Sequence, residues 1–551
     1  MAPHWDDLSQ NGDTHDNPYL ERDRDHGMFD DDEVVTTNQE RADEFIAYAM
    51  QVDLRYKLIE FASRHRPGGG HATRLHKAIR GSFNINWRLE FDDGKSIMFH
   101  VPLPGSVTFP EEKIRAEVAT MKLIRAKTTI PVPEVYHWGM AADNPVGTGP
   151  FIIMEYIDHS SYLVDMIRDQ TDETDRHGLS RDLSEERLLK AYRHMANIVL
   201  QLSTLESTAI GYPALVDENN APPDSPSRKV CNRAVSHNMN ELVASGGLPP
   251  YLLPAHDKTF ATEKEWMSAL ADMHLAHFAF QRNDAVLGPP DARDKYVARQ
   301  LFRRLAASGR LTGDGMSAPQ AGGKEERFKL WCDDMRPASV LLDENEEVVG
   351  VIDWEMSYFA PASYTHDPPW WLCLAKPEYW RPGVEHFFEG FERSLGVFLR
   401  AMEIEEAALE RDRAGAASTG LESRVRAMGL NGEAGTSEPP FPLSARMRRN
   451  WESGRFFVNY AARKAWAFDP IYWKYIDPKY FGENRKGGYE GRLGLFSDSE
   501  KEQMELFVER KVEESKKIRL VEWKPEDARM LLEACLEGTL GQREIPKPRE
   551  F

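Results

Sequence analysis

Leu330-Trp331-Cys332-Asp333-Asp334-Met335-Arg336-Pro337-Ala338-Ser339-Val340-Leu341-Leu342, followed shortly by Val349-Gly350-Val351-Ile352-Asp353-Trp354-Glu355, is the stretch on which the reading of the whole chain turns. Val340 to Leu342, an acidic turn through Asn345, and Val348 to Ile352 have the make-up of a β-hairpin. One carboxylate closes the strand-like run before the hairpin and a second closes its far arm, so the two acids converge. Acids that bound a hairpin are often ordinary turn residues. The layout also meets the needs of phosphoryl transfer, in which one Asp orients the attacking hydroxyl while another holds the magnesium that bridges the nucleotide phosphates.

Upstream, strand-like runs at Trp87–Phe91 and Ile97–Val101 flank Asp92-Asp93-Gly94, whose Asp-Gly pair predicts a hairpin turn. Pro110-Glu111-Glu112 opens a helix, with proline in its first turn and acids at the positive end of its dipole. The apolar stripe is Ile114, Val118, Met121 and Ile124. Glu117 falls on that same stripe, about 20° from Ile124 at ~100° per residue. A carboxylate there needs a partner, since desolvating it unpaired is costly; the alternative is a boundary glutamate that reaches solvent. After Ile130-Pro131-Val132-Pro133-Glu134-Val135, the run Phe151-Ile152-Ile153-Met154 reads as a buried strand.

These elements predict a small α+β lobe over residues 43–157 and a mostly helical lobe over 158–402, with loop-like stretches at Asp217–Arg228 and Ser308–Lys324. Residues 403–440 read as a low-complexity surface insert. The aromatic-rich segment from Leu443 to Tyr475 predicts that helices over 441–551 dock on the larger lobe. Residues 1–42 read as a disordered acidic tail, since residues 1–40 hold twelve Asp/Glu against two Arg. The 551 residues carry a net charge of −20, which argues against a broad nucleic-acid or anionic-lipid footprint. Absent a membrane span or a secretory signal, the expectation is a cytoplasmic protein. Cys231, Cys332, Cys373 and Cys535 lie far apart, which predicts reduced thiols and no zinc site. His274 and His277 have a metal-compatible spacing on a helical stretch but read better as packed side chains.

The Asp334 and Asp353 segments together resemble the aminoglycoside phosphotransferase and choline kinase family, which has a two-lobed protein-kinase-like fold. The family pattern is His-Gly-Asp-x-x-Pro-x-Asn followed by Ile-Asp-Trp-Glu, and here Asp334, Pro337 and Asp353-Trp354-Glu355 occupy the corresponding places. Fungal members look most similar, with Cys-Asp-Asp-x-Arg-Pro loops, Ile-Pro-Val-Pro-Glu-Val segments and Arg-x-x-Trp stretches like Arg448-Arg449-Asn450-Trp451. The likeness spans about residues 75–157, 270–400 and 441–520.

The resemblance implies an ATP- and magnesium-dependent phosphotransferase acting on a hydroxyl of a small molecule, with no nucleic acid or membrane as partner. It makes Asp334 the catalytic aspartate and Asp353 the magnesium ligand. Arg336 would neutralise charge on the phosphoryl group or, more plainly, pair with Asp333. Gly81-Ser82-Phe83-Asn84 resembles the turn over the nucleotide phosphates, and Met154-Glu155-Tyr156-Ile157 the adenine hinge, so Gly81, Ser82, Phe83, Glu155 and Tyr156 are expected at the nucleotide. Two positions depart from the pattern. His100 stands where the family carries a strand Lys or Arg, which makes it the expected partner of Glu117, and Ser339 stands where the family has the second metal ligand, Asn. Cys332 also replaces the usual His. A degenerate pseudokinase, binding nucleotide or a metabolite as an interaction module, is the alternative these departures raise.

Overall fold

The computed structural model describes residues 27–169, 178–180, 182–213, 230–313, 326–379, 384–418, 442–542 and 544–551. They form an α+β protein of two compact units, one built from Ala42–Ser236 and Arg327–Arg449, the other from residues 27–41, His237–Glu326 and Asn450–Phe551.

The first unit begins in helix α1 (Asp32–Ala49) and continues with α2 (Val52–Arg64), β1 (Ala72–Leu75), β2 (Ile79–Arg80), β3 (Asn84–Phe91), β4 (Ser96–Pro102), α3 (Pro110–Lys127), β5 (Val135–Gly139) and β6 (Phe151–Glu155). Its main sheet has the order β1-β3-β4-β6-β5, with β2 paired to β3. The β3–β4 hairpin turns where Asp92-Asp93-Gly94 predicted it. Gly94 takes φ +78°, a left-handed conformation open to glycine at little cost, and its N–H bonds the Phe91 carbonyl at 2.9 Å.

Side chains alternate across this sheet with period two. One face joins Leu54, Leu58 and Phe61 of α2 to Ile85, Trp87, Phe99, Phe151 and Ile153. The other joins Ile114 and Val118 of α3 to Ile152. His100 lies opposite Ile152 in the β4–β6 register, so it faces α3.

Shorter strands complete the unit: β7 (Ser161–Tyr162), β8 (Glu206–Ser207), β9 (Tyr212–Pro213), β10 (Val230–Asn232), β11 (Phe328–Cys332), β12 (Val340–Leu342), β13 (Val348–Val351) and β14 (Ser357–Pro361). They assemble as β14-β11-β8, β13-β12-β7 and β10-β9. Helix α4 (Glu185–Leu202) carries Tyr192, whose ring packs 5.6 Å from Phe398 of the helix Val384–Ser418.

In the second unit, helices Glu263–Phe280 and Pro289–Ala307 pack around Asp498–Glu514, with Phe278 and Tyr296 at 5.1 and 5.0 Å from Phe507. Arg299 is buried there in a two-pronged ion pair with Asp469 at 2.6 and 3.0 Å. His274 and His277 are packed side chains: the His274 ring bonds the Ala462 carbonyl at 3.0 Å, and burial holds its pKa down to about 3.

Three expected boundaries change. The larger lobe drawn over 158–402 is divided, because residues 237–326 share their core with 450–551. The acidic tail drawn to residue 42 stops earlier. Asp31 is buried, its carboxylate accepts the Asn283 backbone N–H at 3.0 Å and side-chain Nδ2–H at 2.8 Å, and α1 starts at Asp32; residues 1–26 lie outside the described residues. The insert drawn over 403–440 begins inside the helix Val384–Ser418, where Glu405 pairs with Arg193 at 2.8 Å; residues 419–441 are outside the described residues. The loop-like stretch at 217–228 and most of that at 308–324 also lie outside them.

Candidate active site

Strand β11 runs antiparallel to β14, with Cys332 opposite Ser357 at the end of the ladder. The chain leaves β11 into the Asp333–Arg336 turn, passes through a single 3-10 turn (Pro337–Ser339), and forms the β12–β13 hairpin before returning through Ile352-Asp353-Trp354-Glu355 to β14. This ladder brings the two acidic segments together. The Asp333 N–H bonds the Met356 carbonyl at 3.3 Å, the Cys332 thiol donates to the Glu355 carbonyl at 3.5 Å, and the Ile352 N–H bonds the Ser339 carbonyl at 2.9 Å. Asp353 and Met356 adopt φ of +61° and +55°, a costly conformation for residues with a side chain and one concentrated at functional sites.

The electrostatics of the turn suit a bound cation. Burial, and then the Glu355 charge, pushes the Asp353 carboxyl up to about 7; Arg336 opposes the rise, and Asp334 and Glu117 add to it. Ser339 is 1% exposed, and its hydroxyl oxygen has no hydrogen-bond partner among the described residues. No group of three or more His, Cys, Asp or Glu among those residues is arranged to hold a metal. Magnesium does not need one, since it is commonly held by one or two protein oxygens together with phosphate oxygens and water. A carboxyl disfavoured by its acidic neighbours and an orphaned hydroxyl fit that role. Asp334 is only partly buried, and its Oδ2 lies 3.7 Å from Arg336 Nε, whose side chain is 44% exposed.

Glu117 does not reach solvent. It is 3% exposed and ion-paired, as its place on the apolar stripe of α3 demanded. His100, the expected partner, lies 3.4 Å away, but Lys113 is nearer at 2.9 Å. Burial acts to raise the Glu117 pKa, yet Lys113 and then His100 outweigh it and bring the carboxyl down to about 2. Lys113 also bonds Asn84 Oδ1 at 2.8 Å and pairs with Glu355 Oε2 at 2.6 Å, while Asn84 Nδ2 donates to Glu355 at 2.8 Å. His100 Nδ1 is 2.8 Å from Asn86 Oδ1.

Lys113, Asn84 and Glu355 were not among the expected site residues. The signal for Lys113 was its i,i+4 spacing from Glu117, which puts both on one helical face.

Gly81 and Ser82 form an exposed turn between β2 and β3, closed by the Gly81 N–H on the Asn84 carbonyl at 2.8 Å; the Phe83 carbonyl accepts the Leu103 N–H. This turn leads directly into Asn84 and so into the buried ion cluster. Glu155 and Tyr156 lie elsewhere, at the end of β6. The Glu155 carboxylate accepts the Glu134 N–H at 3.1 Å, and the Tyr156 ring stacks under Arg88 at 3.9 Å. Neither side chain is part of the ion cluster, and the Glu155 backbone N–H is already bonded to the Glu134 carbonyl at 2.8 Å.

Among known families, the sequence profile described as "Phosphotransferase enzyme family" matches residues 84–401. The chain is 23% identical over 341 residues to altered inheritance of mitochondria protein 9, mitochondrial, of Yarrowia lipolytica, an overlap of 58% of this chain and 53% of that protein. A subtelomeric hrmA-associated cluster protein of Aspergillus fumigatus is 34% identical over 88 residues, which is 16% of this chain and 17% of that one. The chain thus spans about half the length, or less, of the curated relatives it matches. Similar solved structures include a ternary complex of aminoglycoside phosphotransferase APH(4)-Ia with AMP-PNP and hygromycin B (15% identity, 72% of this chain and 99% of that one, TM-score 0.33). Another is the apoenzyme of the macrolide 2'-phosphotransferase MphH from Brachybacterium faecium (12% identity, 70% and 100%, TM-score 0.31).

Proposed function

Because the chain belongs to the phosphotransferase enzyme family, we propose that it transfers the terminal phosphoryl group of ATP to a hydroxyl of a small molecule, with magnesium as cofactor. The observation that carries this reading is the convergence of the Asp334 and Asp353 segments across the β11–β14 ladder, where the Ser339 carbonyl accepts the Ile352 N–H and the Ser339 hydroxyl is orphaned among the described residues.

In this reading Asp334 accepts or aligns the proton of the acceptor hydroxyl, and Arg336, exposed and next to it, offsets charge on the group in transit. Asp353 and Ser339 would hold the magnesium, which supplies charge neutralisation at the nucleotide phosphates when bound. The Gly81-Ser82-Phe83 turn, closed by the Gly81 N–H on the Asn84 carbonyl, is the proposed cover for those phosphates. The backbone near Glu155 and Tyr156 is the proposed adenine contact. His100 contributes through the Glu117 cluster. Transfer of this kind depends chiefly on positioning and electrostatics, which in this reading the chain's own side chains would provide.

Single-turnover ATP consumption by the full chain, with a panel of hydroxylated small molecules, tests the proposal. Activity in the wild type that disappears in Asp334→Ala supports it, and equal activity in the two proteins overturns it.

Two features favour a second reading, that of a pseudokinase. Lys113 is sealed by two carboxylates, and Ser339 is a weaker oxygen donor than an amide. Binding of Mg-ATP without turnover under every acceptor would select that reading.

No helix among the described residues is long and apolar enough to cross a membrane. Cys332, Cys373 and Cys535 are free thiols, which suits the proposed cytoplasmic location; the mitochondrial name of the Yarrowia relative makes import the competing proposal, and fractionation of the tagged chain decides between them.

A further inference from the structure

Strand β4 brings a histidine, not a lysine or arginine, toward α3, and the permanent positive charge nearest to Glu117 comes from the helix itself. Lys113 sits one turn before Glu117, and its side chain is wholly covered. Its partners define where it lies. Asn84 follows directly on the Gly81-Ser82-Phe83 turn, and Glu355 follows two residues after Asp353. The ammonium therefore bonds both the residue that follows the turn proposed to cover the phosphates and the carboxylate two residues past the aspartate proposed to hold their cation.

We propose that Lys113 is the cation that meets the nucleotide phosphates, supplied by helix α3 instead of a strand, and that Glu355 occupies it until nucleotide arrives. The inference rests on the phosphotransferase reading above. Lys113 faces two carboxylates at 2.9 and 2.6 Å, so its single charge is already shared between two anions and is not free to meet a polyphosphate. One carboxylate must yield. Glu117 belongs to the same helix, one turn away, and keeps His100 as a second partner, so moving it would strand a buried charge. Glu355 lies in the segment next to Asp353, and its backbone follows a left-handed aspartate. It is the partner that lets go. Positive charge accompanying the nucleotide favours that release, and nucleotide arriving without it does not.

Calorimetric binding of ATP to the full chain, once with magnesium and once in EDTA, tests this. The wild type should bind metal-free ATP far more weakly than Mg-ATP. Glu355→Gln, which keeps the Lys113–Glu117 pair, should bind metal-free ATP about tenfold tighter than the wild type and so narrow the gap. The double variant K113Q/E355Q leaves Glu117 with His100 and should lose about tenfold or more in affinity for Mg-ATP relative to E355Q.

An unchanged gap in E355Q, or a double variant that binds as tightly as E355Q, overturns the assignment while leaving the phosphotransferase reading in place. A wild type that binds no Mg-ATP overturns both. If the double variant does not fold, the E355Q comparison decides alone.

Discussion

Glu117 is ionised in the interior only because two basic groups face it, and that condition has a signature in pH. Its folded pKa of about 2 lies below the ordinary value of 4.5, so the fold favours the charged form. The stability this supplies is complete above pH 4.5 and is lost as pH falls through about 2. The shift corresponds to about 3 kcal/mol. Glu117→Gln should therefore be less stable than the wild type near neutral pH, and the difference should shrink between pH 4.5 and 2 in denaturant titrations; a constant difference across that window refutes the account. Asp353 behaves in the opposite sense, since burial and then its acidic neighbours disfavour its charge. Asp353→Asn should melt about 2 °C or more above the wild type without magnesium and lose the stabilisation that Mg-ATP gives the wild type, both read by a thermal melt. Glu117 was legible in the sequence because a carboxylate on an apolar stripe breaks the pattern. Lys113 was not, because lysine on a helix is read as solvent-facing by default, and its long stem conceals where the charge ends.

The hairpin and helix that frame the site show where periodicity succeeds. Strand β3 was readable because apolar and polar residues alternate along it, β4 because Ile97, Phe99 and Val101 recur at every second position, and α3 because Ile114, Val118, Met121 and Ile124 recur at helical spacing. Strand β14 was not, since all five residues of Ser357–Pro361 are buried, no alternation marks them, and a terminal proline argues against a strand interior. The helix continuing past residue 402 was hidden for a different reason: its Glu and Ala content resembles low complexity but is also good helix-forming composition. Gly350, on β13 just before Asp353, offers a test at this scale. A Cβ there would come within 2.7 Å of Ile157 Cδ1 and 3.0 Å of Leu341 Cδ1, so Gly350→Ala should cost about 1–3 kcal/mol and displace the strand end that carries Asp353. Thermal melts with and without Mg-ATP would show both effects, and an unaltered melting temperature would rule out the tight packing.

For the molecule as a whole, the low-apolar stretches are not spare parts. Removing residues 1–40 deletes Asp31, whose carboxylate bonds Asn283 twice, together with the buried Met28. Removing 403–440 deletes Glu405, which pairs with Arg193, and Glu406, whose carboxylate accepts both the N–H and the hydroxyl of Ser444. Each deletion should lower the melting temperature by several degrees, and a melt indistinguishable from that of the intact chain would show both segments to be dispensable for folding. The second unit draws on residues 27–41, 237–326 and 450–551. During synthesis its earliest strip leaves the ribosome some four hundred residues before the last strip that completes it, so the nascent chain carries an unfinished core for most of translation. A premature stop codon near residue 450 would accordingly spare every residue proposed for chemistry and still produce a chain that chaperones hold and proteases clear.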